Sequence, residues 1–169
     1  MKFYPHKKKI IAIFPGSFNP PTKGHLDIIA KASKMFDRVI WATGVNPRKS
    51  QEMFNVSECL GMMKGCVKGF KNVEVTHFKG ALVDFAKKRK ALVMIRSFRT
   101  IMDMEYEKEM VSVNEDLAPK IFTVFVLVDK KYSYISSSMV RELIELGKDI
   151  SRYVPAFVSK AVRRKFKLK

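Results

Sequence analysis

IIAIFPGSFNPPTKGHLDIIAKASKMFDRVIWATGV, residues 10–45, contains two apolar runs separated by a glycine- and proline-rich turn and an amphipathic stretch. Ile10–Phe14 and Arg38–Val45 are short, rich in branched and aromatic residues and lack strict polar alternation. Strands covered on both faces of a parallel sheet read this way. Between them, His25–Phe36 places Leu26, Ile29, Ala30 and Ser33 on one helical face. The stretch is therefore a strand–helix–strand unit with a long first loop.

The same alternation continues outward. Further strands are predicted at Val73–Phe78, Ala91–Arg96 and Phe122–Val128, and helices at Val56–Val67, Leu82–Lys90, Asp103–Asp116 and Ser136–Leu146. Asn55 with Glu58 three residues on resembles a capping box, Gly147 suits a helix C-cap, and Pro155 opens a last helix running through Phe166. The pattern predicts an α/β fold: a Rossmann-like, doubly wound, five-stranded parallel sheet with helices on both faces. One domain over residues 1–169 is expected, with a basic C-terminal segment from about 155 to 169.

Hydrophobic residues make up 47% of the chain, as in a globular protein. Its longest apolar stretch, Ile121–Val128, falls far short of the roughly 20 residues of a membrane span. Lys7–Lys9 before Ile10–Phe14 loosely resemble a signal peptide, but Pro15 ends the apolar part too early. Cys59 and Cys66 lie two helical turns apart on one face, read as two buried thiols, and point to a reducing cytoplasm. The net charge of +17 implies an acidic partner. Aromatic residues are not interleaved with the basic runs Lys7–Lys9, Lys87–Lys90 and Lys160–Lys169 as a single-strand-binding platform requires, so no specific nucleic acid is expected. The last run reads mostly as a solvated helix face.

Sheets of this kind bind ligands beyond the carboxyl ends of their strands. After the first strand, Pro15–His25 brings glycines, Ser17 and a helix start together, an anion site in which His25 reaches the same anion. A lone His at a helix start is also a common capping or surface residue. After the second strand, Asn46-Pro47-Arg48-Lys49-Ser50 suits a phosphate or equally a solvated loop. After the fourth, Arg96 and Arg99 could clamp a polyphosphate, and Asp103 and Glu105 complement a helix dipole. After the fifth, Ser136-Ser137-Ser138 reads as simple capping or as a second anion site. Phosphate-friendly loops on one sheet edge point to a nucleotide- or phosphate-handling enzyme.

Thr22-Lys23-Gly24-His25 and Ile135-Ser136-Ser137-Ser138 resemble, in this order, the two signatures of the HIGH-motif nucleotidylyltransferase superfamily. Within it, Ile95-Arg96-Ser97-Phe98-Arg99 followed by Asp103-Met104-Glu105-Tyr106-Glu107 is similar to a segment of the phosphopantetheine adenylyltransferases. Leu82–Ala86 and Asn46–Lys49 fall where that family has counterparts. The resemblance covers roughly Ile10 to Tyr153.

It implies a cytoplasmic enzyme of coenzyme A biosynthesis that transfers the adenylyl group of ATP to 4′-phosphopantetheine, with Mg²⁺ arriving on ATP and no metal held by the protein alone. It implies catalytic roles for His25, Lys49, Arg99 and Ser137. ATP binding falls to Ser17, Phe18, His25, Ser97, Phe98, Arg99, Glu107 and the segment Tyr132, Ser133, Tyr134, Ile135, Ser136, Ser137 and Ser138. The acceptor falls to Ser17, Lys49, Leu82 and Arg96. A homo-oligomer, a hexamer, is implied as well. Ser97 stands where the family usually has Gly, Asn19 where Asp is common, Ser17 where Thr is common, and Asn114-Glu115 where Asn-Arg is common. Two rivals remain at this stage: a nicotinate or nicotinamide mononucleotide adenylyltransferase, and a non-catalytic basic protein that binds nucleic acid.

Overall fold

The computed structural model describes residues 9–45 and 53–167. Five parallel strands, β1 (Ile11–Gly16), β2 (Arg38–Gly44), β3 (Val73–Phe78), β4 (Val93–Arg96) and β5 (Phe122–Phe125), form one sheet in the order β3-β2-β1-β4-β5. The connecting helices are α1 (Lys23–Met35), α2 (Val56–Cys66), α3 (Leu82–Lys88) and α4 (Ile101–Leu117), followed by α5 (Ser137–Glu145) and α6 (Ala156–Phe166). A short 3₁₀ turn at Lys130–Tyr132, absent from the sequence reading, precedes α5.

Apolar side chains on the two sheet faces explain the layers. Ala12, Phe14, Val39 and Trp41 pack against Ile28, Ile29 and Ala32 of α1 and against Met63. Ile13, Ile40, Ala42 and Met94 point the other way, onto Val83 and Ala86 of α3. Phe54, Cys59 and Met62 build a third core with Val140, Ile144, Val158 and Val162, seating α5 and α6 beside α2. The strand order reverses between β1 and β4, which opens a crevice at their carboxyl ends.

The expected caps are present. Asn55 and Glu58 form the reciprocal capping box of α2. Gly147 has a left-handed backbone, and Lys148 N–H bonds the Leu143 carbonyl, closing a Schellman turn after α5. α4 starts two residues before the expected Asp103, because Thr100 caps it through the Asp103 N–H.

Two expectations need correction. The strands are not all covered on both faces: β3 and β5 are edges, and Phe122 is 66% exposed. β5 also ends at Phe125 rather than Val128, because its partner β4 turns away after Arg96. Cys59 is buried and Cys66 half-buried; both remain thiols, and burial pushes the Cys66 thiol up to about 12. Among the described residues no helix is long and apolar enough to cross a membrane. The stretch Asn46–Ser50, with Lys49, lies outside the described residues.

Candidate active site

A cavity of about 460 Å³ opens beyond β1 and β4. His25 and Ser136, 111 positions apart, share its wall with Ser17, Phe18, Arg96, Ser97, Arg99, Glu107, Tyr132, Ile135, Ser137 and Ser138. Three separate loops, those after β1, β4 and β5, thus converge at the edge of the sheet where they were expected.

His25 is the third residue of α1 and completes an unusual capping box. Its own N–H donates to Thr22 Oγ1 (3.3 Å), and the Thr22 backbone N–H donates to His25 Nδ1 (3.0 Å). A backbone N–H can only donate, so Nδ1 carries a lone pair and the ring proton is on Nε2. Burial first, then the Arg99 guanidinium, lowers the His25 pKa from 6.5 to about 4. The ring is therefore a neutral N–H donor at physiological pH.

Phe18 holds that ring in place. Its φ of 47° is in the left-handed region, and the turn carries the Phe18 ring edge-on against His25, with centroids 5.0 Å apart. Gly16 permits this: a Cβ there would come within 2.7 Å of Phe18 Cζ. The amides at the start of α1 are fewer than expected. Lys23 N–H donates to the Tyr153 carbonyl and His25 N–H to Thr22, which leaves the Gly24 N–H for an anion.

Because the folded pKa of His25 lies below the unfolded one, the unfolded chain takes up more protons between pH 6.5 and 4. Stability carried by this group is complete above pH 6.5 and falls as pH drops toward 4. Urea midpoints between pH 7.5 and 4.5 should decline less for His25→Gln than for the wild type. Equal declines would reject the lowered pKa.

The start of α5 forms the opposite wall. Ser136 caps it by accepting from Met139 N–H, as the capping reading expected. The Ser137 and Ser138 amides, in the first turn, have no helical partner. Ser137 Oγ donates to the Pro20 carbonyl (2.8 Å), which fastens α5 to the β1–α1 loop. Arg141 strengthens the joint through Asn19 O (2.7 Å) and Ser138 Oγ (3.1 Å). Sequence reasoning missed Arg141; its spacing of three from Ser138 was the available signal.

Arg99 reaches the Ile135 carbonyl (3.5 Å) and pairs with Asp103 (3.5 Å), so Asp103 does more than complement the α4 dipole. Arg96 Nε lies 3.4 Å from Glu107 Oε2; both atoms are buried and neither makes a hydrogen bond. Ile28, Val128 and Phe14 add an apolar wall that the sequence reading did not include.

The cytidylyltransferase-like family model matches residues 13–143. The phosphopantetheine adenylyltransferase of Caldanaerobacter subterraneus subsp. tengcongensis is 41% identical over 157 residues, 93% of this chain and 98% of that one. That of Clostridium botulinum strain 657 is 45% identical over 154 residues, 91% of this chain and 93% of its own. The chain belongs to the phosphopantetheine adenylyltransferase family. A crystal structure from Vibrio parahaemolyticus, assigned as a nicotinate-nucleotide adenylyltransferase, superimposes over 94% of both chains with a TM-score of 0.71. At 20% identity that likeness concerns the fold.

Two departures from the phosphopantetheine adenylyltransferase pattern now have physical accounts. Ser97 is not among the residues with positive φ, so replacing glycine there introduces no backbone strain. Asn19 is buried and uses both ends of its amide: Nδ2 donates to the Phe54 carbonyl (2.7 Å) and Oδ1 accepts from the Phe54 N–H (3.2 Å). A carboxylate could not donate to that carbonyl.

Four residues that the family resemblance implied are not brought to the cavity wall. Phe98 packs its ring on Phe125, and Ser133 Oγ donates to the Lys130 carbonyl. Tyr134 is 63% exposed beside Tyr153. Leu82 starts α3 and packs on the opposite core.

Proposed function

We propose that this chain transfers the adenylyl group of ATP to 4′-phosphopantetheine, giving dephospho-CoA and pyrophosphate. The observation that carries the reading is the single cavity in which a neutral imidazole N–H, two arginines and the start of α5 face one another. A phosphate oxygen of the acceptor forms a bond to the α-phosphorus of ATP while the bond to the bridging oxygen breaks, and pyrophosphate leaves. The nucleophile is already an anion, so no general base is needed and catalysis is positioning plus charge stabilisation.

His25 Nε2–H donates to the α-phosphate, and the Ser137 and Ser138 amides and Arg99 hold the polyphosphate. Arg96 binds the acceptor phosphate, and Lys49 bridges it to the α-phosphate. Glu107 faces the adenosine part. Mg²⁺ comes with ATP as part of the substrate, held by phosphate oxygens and water. Among the described residues no three His, Cys, Asp or Glu side chains gather around a metal position.

Pyrophosphate release from Mg·ATP should require 4′-phosphopantetheine. Nicotinate mononucleotide should give less than about one hundredth of that rate, as expected when a site's polar groups lose their partners. Turnover with the mononucleotide alone would reject the proposed acceptor.

We place the enzyme in the cytoplasm, the reducing compartment that suits its two buried or half-buried cysteines. We also propose a homo-oligomer, a hexamer. Ile101, Met102, Leu117, Phe122 and Leu127 are all exposed, and β5 leaves its outer edge unpaired. Light scattering should give six times the 19.5 kDa chain, and Phe122→Lys should lower that mass. A monomer at micromolar concentration would reject the assembly.

A further inference from the structure

Lys31 of α1 stands outside the cavity, yet it gathers the start of the segment that forms one cavity wall. Its Nζ donates to Asp27 Oδ2 (2.7 Å), Asp129 Oδ1 (2.6 Å) and the Leu127 carbonyl (2.9 Å). The Asp129 N–H closes the ring by donating to Asp27 Oδ2 (2.9 Å). One ammonium thus commits all three of its protons to α1 and to the residues after β5.

Gly24, Asp27 and Lys31 follow the spacing that puts them on one face of α1. The β5–α5 segment packs on that face: a Cβ on Gly24 would stand 3.4 Å from Val128 Cγ2 and 3.7 Å from the Tyr132 carbonyl oxygen. Val128 and Tyr132 line the cavity, whereas Asp27, Lys31 and Asp129 do not. The far end of the segment is fastened as well, by Ser137 and Arg141 to the β1–α1 loop. Between the two joints, Tyr132, Ile135 and Ser136 face the cavity. The placement of this segment therefore sets how far the α5 amides stand from His25.

An isolated exposed ion pair contributes little. This cluster differs, because the Asp27 side chain is only 13% exposed and its carboxylate also accepts a backbone amide. Lys131 lies 3.7 Å from Asp129 but belongs to the same segment, so it cannot tie that segment to α1. Without Lys31, the Asp27 and Asp129 carboxylates would repel across the joint. Desolvation works against the Lys31 charge, but the hydrogen bonds to Asp129 and Asp27 outweigh it and raise the pKa, so the ammonium persists at neutral pH.

We propose that Lys31 is a positioning residue for the nucleotide: with Asp27 and Asp129 it holds the β5–α5 segment against α1, so that His25 and the start of α5 meet one polyphosphate without rearrangement. The proposal rests on the adenylyl-transfer reading of the cavity. A wall already in place lowers the ordering cost of binding, and that gain falls on affinity more than on the chemical step.

Pyrophosphate release by the full-length enzyme, with ATP and 4′-phosphopantetheine varied in turn, reads the effect. Lys31→Met should raise the KM for ATP about tenfold, the scale of ordering one or two flexible groups on binding, with kcat and the acceptor KM within about threefold of wild type. Lys31→Arg keeps the charge and the donors and should bring the KM for ATP back to within about threefold of wild type. Asp129→Asn alters a side chain that is 44% exposed, so it carries the test if Lys31→Met does not fold. It should raise the KM for ATP about threefold and add nothing to Lys31→Met. The dissociation constant of Mg·ATP, measured by calorimetry without acceptor, should rise in the same proportion as the KM. Wild-type enzyme that binds Mg·ATP but does not use 4′-phosphopantetheine would reject the proposed acceptor and leave this calorimetric test of the clamp in force. Unchanged ATP affinity in Lys31→Met and Asp129→Asn overturns the proposal. So does an arginine variant as impaired as the methionine one, or an acceptor KM that rises as much as that for ATP, the mark of general loosening.

Discussion

Replacing His25 by alanine should lower kcat by about 10²–10³-fold, the usual effect of deleting one oxyanion donor. Negative charge on the non-bridging oxygens of the α-phosphate grows as the pentacoordinate phosphorus forms, so this donor acts mainly in the transition state. The KM for ATP should therefore change much less than kcat. The tautomer makes this donor available: with Nδ1 held by the Thr22 amide, the proton of the neutral ring is on Nε2. Since the His25 pKa lies near 4, no inflection from this residue is expected in kcat between pH 5.5 and 8. Steady-state pyrophosphate release by the wild type and His25→Ala checks both points. An alanine variant within threefold of wild-type kcat would remove His25 from the mechanism.

The parallel sheet was legible because its evidence is local: apolar runs and helical periodicity are read within a dozen residues, and the caps at Asn55 and Gly147 within four. The site was legible for a related reason, since its loops follow the strand ends that local pattern had located. What stayed hidden depends on distant partners. Arg141 meets Asn19 across 122 positions, and Lys31 bridges to Asp129 across 98, so no window around either residue reveals that distant partner. An apolar strand also reads the same at the edge of a sheet as at its centre, which is why Phe122 and Phe125 looked like core residues. Ser136 shows a different limit. Capping and anion binding use the same helix end, so the sequence alone did not separate them, and the cap is what the structure shows.

The Arg96–Glu107 pair supports the second large prediction. A carboxylate within an anion-binding cavity is tolerable because a guanidinium lies 3.4 Å away, and both side chains are less than one-fifth exposed. Truncating one partner of such a pair costs about 2–5 kcal/mol, much of it from leaving the other charge alone. Arg96→Met should therefore reduce kcat/KM for the acceptor by at least about thirtyfold, the low end of that range, and lower the urea midpoint as well. In the proposed mechanism it removes a phosphate ligand and exposes the arriving phosphate to Glu107. Adding Glu107→Gln to Arg96→Met should restore about tenfold of the lost acceptor kcat/KM, because the repulsion goes although the ligand is not replaced. Glu107→Gln alone should instead weaken ATP, leaving Arg96 without its counter-charge but still able to hold the acceptor. A double variant no better than Arg96→Met would mean that Glu107 is electrically silent toward the acceptor. The two residues would then act independently, despite lying within ion-pair distance.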